Sequence, residues 1–123
     1  MVTKEELVEY LQNMYDLQND NGSLFSFFVE LDDNQRQECL IDIDEDFCRI
    51  LSPVGGICES KLNDVLDLLF KKFIGGLVKG GEDYYVNHTF ILDGIDSPVD
   101  VSIIVYFVSK FAHNIKEEIL ETD

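Results

Sequence analysis

The chain combines a length suited to one folded domain with an extreme negative charge. It has 123 residues, 46% of them hydrophobic, and its 25 aspartates and glutamates against 9 lysines and arginines give a net charge of -16. An acidic excess of this size repels phosphate backbones and anionic lipid headgroups, which argues against direct binding to nucleic acid or to a membrane surface. Nine phenylalanines and five tyrosines distinguish the chain from disordered acidic segments, which are poor in aromatic residues. We therefore expect a single globular domain over residues 1–123.

The N-terminal residues and the cysteines indicate a reducing compartment. Residues 1–6 lack the basic and apolar regions of a secretory leader, and no apolar run reaches the roughly 20 residues of a membrane span. The expectation is a cytoplasmic protein. Cys39, Cys48 and Cys58 cannot all pair within one chain, lie among apolar residues and have no CxxC spacing. They are predicted to be reduced and mostly buried, with a zinc site or a redox function as the alternative.

A first helix is predicted near the N-terminus. Thr3 followed by Glu6 matches a capping box, in which the threonine side chain accepts a hydrogen bond from the amide three residues on. Apolar residues then recur at helical spacing. The helix should run from about Lys4 to Leu17, and the polar residues 19–22 should end it.

Residues 24–51 carry the alternation that is typical of a β-sheet. Phe25, Phe27 and Val29 alternate with other side chains, and residues 39–43 repeat the pattern. Acidic turn residues separate three such runs, which predicts a three-stranded antiparallel meander. One face of this meander carries most of the phenylalanines and isoleucines, so helices are needed to cover it. Residues 52–56, which include a proline and two glycines, are predicted to break the sheet.

The rest of the chain predicts a helix, a hairpin and a long final helix. An apolar stripe that ends at Phe73 gives a second helix starting near Ser60, and glycines stop it. Residues 77–92 predict a hairpin that joins the first strands in one sheet. Pro98 to about Glu121 is predicted as one helix, with strand over its first two turns as the alternative because Val99 to Phe107 is rich in β-branched residues. The expected order is α-β-β-β-α-β-β-α, an α+β fold with an antiparallel sheet of about five strands flanked by helices.

This order resembles the type III secretion chaperone-like superfamily, in particular the YbjN-like bacterial proteins. The stretches that carry the resemblance are residues 27–31, 37–43, 49–55 and 111–115. The resemblance implies a small acidic protein that forms a homodimer and holds a segment of another polypeptide on its sheet and helix surface. It implies no catalytic residues.

No arrangement of residues in the sequence predicts catalysis, a cofactor or a metal centre. The acidic run 42–46 fails as a calcium loop, because the positions that need glycine and glutamate are Phe47 and Pro53. His88 and His113 lie on different elements without metal-ligand spacing. Neither glycine pair, at residues 75–76 and 80–81, matches a phosphate-binding loop. The first pair is better explained as a helix stop and the second as a hairpin turn. We therefore expect a protein that is not an enzyme and binds no cofactor.

The candidate binding site is an apolar patch on the meander. Phe28 points to the opposite sheet face from Phe25 and Phe27, and with Leu40 on the neighbouring strand it would form a patch rimmed by Glu30, Asp42 and Asp44. Such a patch favours a basic protein or peptide client.

Three functions follow from these features. The first is a chaperone-like binding module, whose acidic rim would accelerate the association with a client. The second is an acidic mimic of nucleic acid that inhibits a basic protein, which would require carboxylates in regular rows. The third is a structural subunit of an assembly.

Overall fold

The structure is a computed structural model that describes residues 2–73 and 75–121, without the side chain of Asp33. Within these residues the chain forms three α-helices and one six-stranded antiparallel sheet, as the α+β prediction required. In chain order the elements are α1 (Lys4–Met14), β1 (Asn19–Asp20), β2 (Leu24–Glu30), β3 (Arg36–Ile43), β4 (Phe47–Gly55), α2 (Glu59–Phe70), β5 (Gly76–Gly80), β6 (Asp83–Ile91) and α3 (Pro98–Ile115). None of the described helices has the length and apolar content of a membrane span.

The sheet has the strand order β1-β2-β3-β4-β6-β5. The predicted meander is β2 to β4, the predicted hairpin is β5 and β6, and pairing between β4 and β6 joins them into one sheet. The short strand β1 was not predicted. Its two residues, Asn19 and Asp20, were assigned to a helix-ending turn but pair with Ser26 and Phe25 at one edge of the sheet.

The helices cover one face of the sheet. Buried inner-face side chains alternate with outward-facing ones along β3 and β4, and α3 packs against β2, β3, β4 and β6 while α1 and α2 contact α3. The fully buried inner-face residues of β2, β3, β4 and β6 include Phe25, Phe27, Cys39, Ile41, Cys48, Ile50 and Val86. The opposite face, which we call the outer face, faces away from the helices because successive side chains of a strand point to opposite sides.

Helix α1 begins as predicted but ends three residues early. The Thr3 hydroxyl accepts a hydrogen bond from the Glu6 amide at 3.2 Å. The predicted end at Leu17 is wrong, since α1 stops at Met14 and Tyr15 takes an extended conformation. The Tyr15 ring stacks on Phe27 with 4.1 Å between ring centroids, so contact with the core ends the helix.

Strand β4 continues through Pro53, which contradicts the predicted sheet break at residues 52–56. The backbone amide of Asp44 donates to the Phe47 carbonyl, so odd-numbered residues of β4 direct their backbone groups towards β3. The ladder between β3 and β4 has ended at Leu51. Pro53 therefore lies where its missing N–H removes no ladder hydrogen bond, the position at which a strand tolerates proline.

A buried polar network replaces the ladder at this point. Gln37, only 1% exposed, donates from Nε2 to Ser52 Oγ at 2.9 Å and to the Pro53 carbonyl at 2.8 Å. The Ser52 hydroxyl donates to the Glu38 carbonyl at 2.6 Å, and Lys116 Nζ donates to Gln37 Oε1 at 3.0 Å. The network thus links the sheet to the end of the last helix.

Helix α2 buries Val65 and Leu69 but not the whole predicted stripe. It ends at Phe70, before the stripe is complete. Phe73, the last residue of the predicted apolar stripe, lies beyond the helix and is fully exposed. Gly75 has a φ of 100°, a conformation that favours glycine, and leads into β5.

Helix α3 is continuous from Pro98, so the alternative of a strand over its first two turns is wrong. The Ser97 side chain accepts a hydrogen bond from the Val99 amide at 3.3 Å, as expected for a cap. After Ile115 the chain winds into a π-helical turn over Lys116–Leu120, which completes the predicted helix to about residue 121.

Candidate functional site

The outer face of the sheet carries large apolar side chains that no helix of the described residues covers. Phe28 is 41% exposed although its strand neighbours Phe27 and Val29 are buried. Outward-facing positions on the other strands also carry apolar side chains. The apolar residues of the outer face are Leu24, Phe28, Leu40, Phe47, Leu51, Val78, Tyr85 and Ile91.

The structure brings the four predicted site residues together on this outer face. Ser26 pairs with Leu40 across the ladder, and Phe28 lies two residues further along β2, so Phe28 and Leu40 are diagonal neighbours. Glu30 and Asp42 occupy the same face at opposite ends of the β2–β3 pair. The patch that the sequence predicted therefore exists as one surface.

Two of the three predicted rim acids, Glu30 and Asp42, are paired with arginines that the sequence analysis did not include, whereas Asp44 lies in the β3–β4 turn. Arg36 Nε lies 3.0 Å from Glu30 Oε1, and Arg49 donates to Asp42 Oδ2 at 2.9 Å. The Arg36 guanidinium also stacks 4.6 Å from the centre of the Phe28 ring. These pairs depend on the strand register, which places Arg36 opposite Glu30 and Arg49 opposite Asp42. The register was the information that the sequence lacked.

The edge of β2 is open beside this patch. The Ser26 carbonyl accepts a hydrogen bond from the Gln18 amide at 2.8 Å, so even-numbered residues of β2 direct their backbone groups towards β1. By the same alternation Phe28 and Glu30 direct theirs to this edge, but β1 pairs only with Phe25 and Ser26. Among residues 2–73 and 75–121, no side chain and no backbone group outside the ladder with β3 hydrogen-bonds to the N–H or C=O of Phe28 or Glu30.

A groove of about 550 Å³ follows this open edge. Met14 at the end of α1 and Tyr106 on α3 form its inner wall, while Phe28 and Val29 of β2 form the other side. Asp16 contributes an exposed carboxylate. The groove therefore offers apolar contacts and negative charge next to unpaired backbone groups.

The three cysteines occupy two kinds of environment. Cys39 and Cys48 lie in the core, and burial raises the pKa of each thiol to about 12. The prediction of reduced, mostly buried thiols matches these two. Cys58 is exposed at the start of α2, where the Ser60 hydroxyl contact, 3.3 Å from its sulfur, lowers the thiol pKa. The structure forms no disulfide between described residues.

The two histidines lie in separate places. His88 is on the inner face with Phe90, 6.3 Å between ring centroids, and burial lowers its pKa. His113 on α3 contacts the Glu117 carboxylate one turn later. Neither ring lies in a group of three or more histidine, cysteine or acidic side chains that could hold a metal ion, and the described residues contain no such group.

Two carboxylates of the acidic run 42–46 form structural contacts in and next to the β3–β4 turn. Asp44 accepts hydrogen bonds at Oδ1 from the amides of Phe47 at 2.7 Å and Asp46 at 2.9 Å, and these bonds lower its pKa. Asp42 is engaged by Arg49. The carboxylates of this run thus stabilise the turn and the outer face.

Comparison with known proteins gives no family assignment. No protein-family model matches this chain, and no curated protein matches it in sequence.

Proposed function

We propose that the protein is a non-catalytic polypeptide-binding module that holds a segment of a partner on its outer face and along the open edge of β2. In this respect it would act like the type III secretion chaperones and YbjN-like proteins that the sequence resembles. The observation that carries the proposal is the uncovered outer face, where Phe28 and Leu40 meet beside an edge with unpaired backbone groups. Exposed apolar surface next to a groove is typical of protein interaction sites.

An extended partner segment fits this site better than a helical one. The N–H and C=O groups of Phe28 and Glu30 offer up to four hydrogen bonds to an added strand, as in other cases where a peptide extends a sheet. Alternate side chains of that strand would lie on Phe28 at the outer face and between Met14 and Tyr106 in the groove.

The charge of the protein favours a basic client. A net charge of -16 accelerates encounter with a positively charged chain, and Asp16 places one carboxylate in the groove itself. A nucleic-acid mimic receives less support, because Glu30 and Asp42 on the outer face are neutralised by Arg36 and Arg49.

A pull-down with matched variants tests the proposal. Tagged protein is incubated with lysate at low salt and at about 0.5 M salt, where the Debye length is about 4 Å and charge-driven binding is screened. We expect a specific polypeptide to stay bound at high salt to the wild type and to be lost from Phe28→Asp. Leu66→Asp is the control, since Leu66 is exposed to a similar extent but lies within α2, away from the outer face.

Two results would contradict the proposal. One is retention of partners only at low salt, which would point to polyanion behaviour. The other is equal loss of the partner in Phe28→Asp and Leu66→Asp. Circular dichroism of both variants checks that each remains folded.

A further inference from the structure

A second apolar surface lies on the helical side of the molecule, away from the outer face. Phe70 is 90% exposed and Phe73 is fully exposed at the end of α2. On α3, Ile103, Phe107 and Phe111 follow one another at spacings of four residues and form a stripe along one flank of the helix. We call this surface the helical patch.

A cleft of about 230 Å³ lies at the centre of the helical patch. Phe73, Phe107 and Phe111 line it together with Lys71 and Lys72. The rings of Phe107 and Phe111 lie 5.9 Å apart, and the Lys72 ammonium lies 5.0 Å from the centre of the Phe111 ring. The cleft is therefore apolar inside and positively charged at its border.

No carboxylate of the described residues pairs with Lys71 or Lys72, so both positive charges remain available at the border of the cleft. The ion pairs that the structure forms involve Lys4, Arg36, Arg49 and His113. Placement at the end of α2 is favourable for a cation but leaves its charge unneutralised. Unpaired positive charge beside an apolar cleft favours an occupant that is both apolar and anionic.

The backbone around the helical patch limits the form of that occupant. Residues 103–111 lie inside α3 and satisfy their backbone hydrogen bonds within the helix. The amides of Lys71 and Lys72 donate to the carbonyls of Leu68 and Leu69. Since these backbone groups are already bonded, a partner chain has to satisfy its own, which an α-helix does.

We propose that the helical patch binds an acidic amphipathic helix of another polypeptide. Apolar side chains of that helix enter the cleft between Phe73, Phe107 and Phe111, and its glutamates or aspartates face Lys71 and Lys72. This partner has the opposite charge to the client of the outer face, so the inference stands apart from the proposed function. The protein then has two docking surfaces of complementary chemistry.

The test uses the full-length chain and a fluorescein-labelled 14-residue peptide with leucines at helical spacing and glutamates on the flanks. A second peptide carries glutamine in place of each glutamate. Fluorescence anisotropy should show binding of the acidic peptide and at least about tenfold weaker binding of the neutral one, a difference of about 1.4 kcal/mol. Lys71→Glu/Lys72→Glu and Phe73→Ser should each weaken the acidic peptide by about tenfold or more.

Matched controls lie on other surfaces. Lys79→Glu reverses a lysine on β5, and Phe47→Ser removes an exposed ring from the outer face, so both should leave the affinity within about twofold. The proposal is overturned if both peptides bind equally or if the double lysine variant binds as the wild type does. It is also overturned if the acidic peptide fails to bind at about 1 mM, the weakest affinity expected of a specific site. Sedimentation velocity adds a third arm: a dimer that Phe73→Ser dissociates would show that a second copy occupies the patch, which also overturns it.

Discussion

Replacing Gln37 by leucine should lower the free energy of unfolding by about 2–4 kcal/mol. Leucine fills a similar volume but breaks the hydrogen bonds from Gln37 Nε2 to Ser52 and Pro53 and the bond from Lys116 to Gln37 Oε1. The fully buried Ser52 hydroxyl and the half-buried Pro53 carbonyl then each lose a hydrogen-bond donor, and a loss of this kind costs about 1–3 kcal/mol. Lys116 is half-buried and can turn its ammonium group towards water. The loss of its hydrogen bond to Gln37 therefore adds a smaller amount to the cost in stability.

Thermal and urea unfolding followed by circular dichroism measure this effect. An unfolding entropy of about 2.1 cal/mol/K per residue gives about 0.26 kcal/mol/K for 123 residues, so a loss of 2 kcal/mol lowers Tm by about 8 °C. Gln35→Leu is the matched control, because the same substitution two residues earlier is at an exposed position and should change the stability by less than about 0.5 kcal/mol.

A double-mutant cycle shows whether the network acts as proposed. Gln37→Leu and Lys116→Met should be less destabilising together than the sum of the two single changes, since each removes one end of the same hydrogen bond. The reasoning is refuted if Gln37→Leu costs less than about 0.5 kcal/mol or if the two changes are simply additive.

Three further predictions follow from the described environments. In the folded protein a thiol reagent should modify Cys58 alone, and Cys39 and Cys48 should react only after denaturation; rapid reaction of all three would contradict their burial. The stability should be full below about pH 9 and fall as the pH rises towards 12, because the ordinary thiol pKa of 9.0 is raised to about 12 for Cys39 and Cys48 in the folded state and unfolding releases their protons. The free energy of unfolding should fall by up to about 1.4 kcal/mol per pH unit for each thiol, which urea unfolding across this pH range measures. This slope should flatten in Cys39→Ala/Cys48→Ala, and an unchanged slope would refute the assignment. Glu30→Pro should abolish client binding at the β2 edge while Glu30→Ala, which keeps the backbone N–H, retains it; equal binding by both in the pull-down would show that the edge takes no strand.

The sequence predicted the elements where local chemistry determines them. Thr3 and Ser97 cap their helices as expected, because a cap is formed by residues that are close in the chain. The alternation of Phe25, Phe27 and Phe28 correctly assigned two rings to the core and one to the outer face. Both kinds of signal are local, and both were confirmed.

The errors lie where distant residues decide the outcome. Pro53 was interpreted as a sheet breaker, but its effect depends on which neighbouring strand its nitrogen faces, and that neighbour is set by the ladder with β3. Phe73 was assigned to the apolar stripe of the second helix, because helical spacing alone does not show that α2 ends at Phe70. The arginine partners of Glu30 and Asp42 required the strand register, which no spacing within a single strand reveals.

The single helical layer leaves the outer face, the surface that we propose meets a partner, outside the packed core. Outer-face side chains such as Phe28, Leu40 and Leu51 have no helix packed over them, so their exchange leaves the buried packing of the inner face intact. Substitutions at these positions can therefore alter the outer surface without a new arrangement of the core. This tolerance makes the outer face the natural starting point for redesigning the protein towards a chosen peptide.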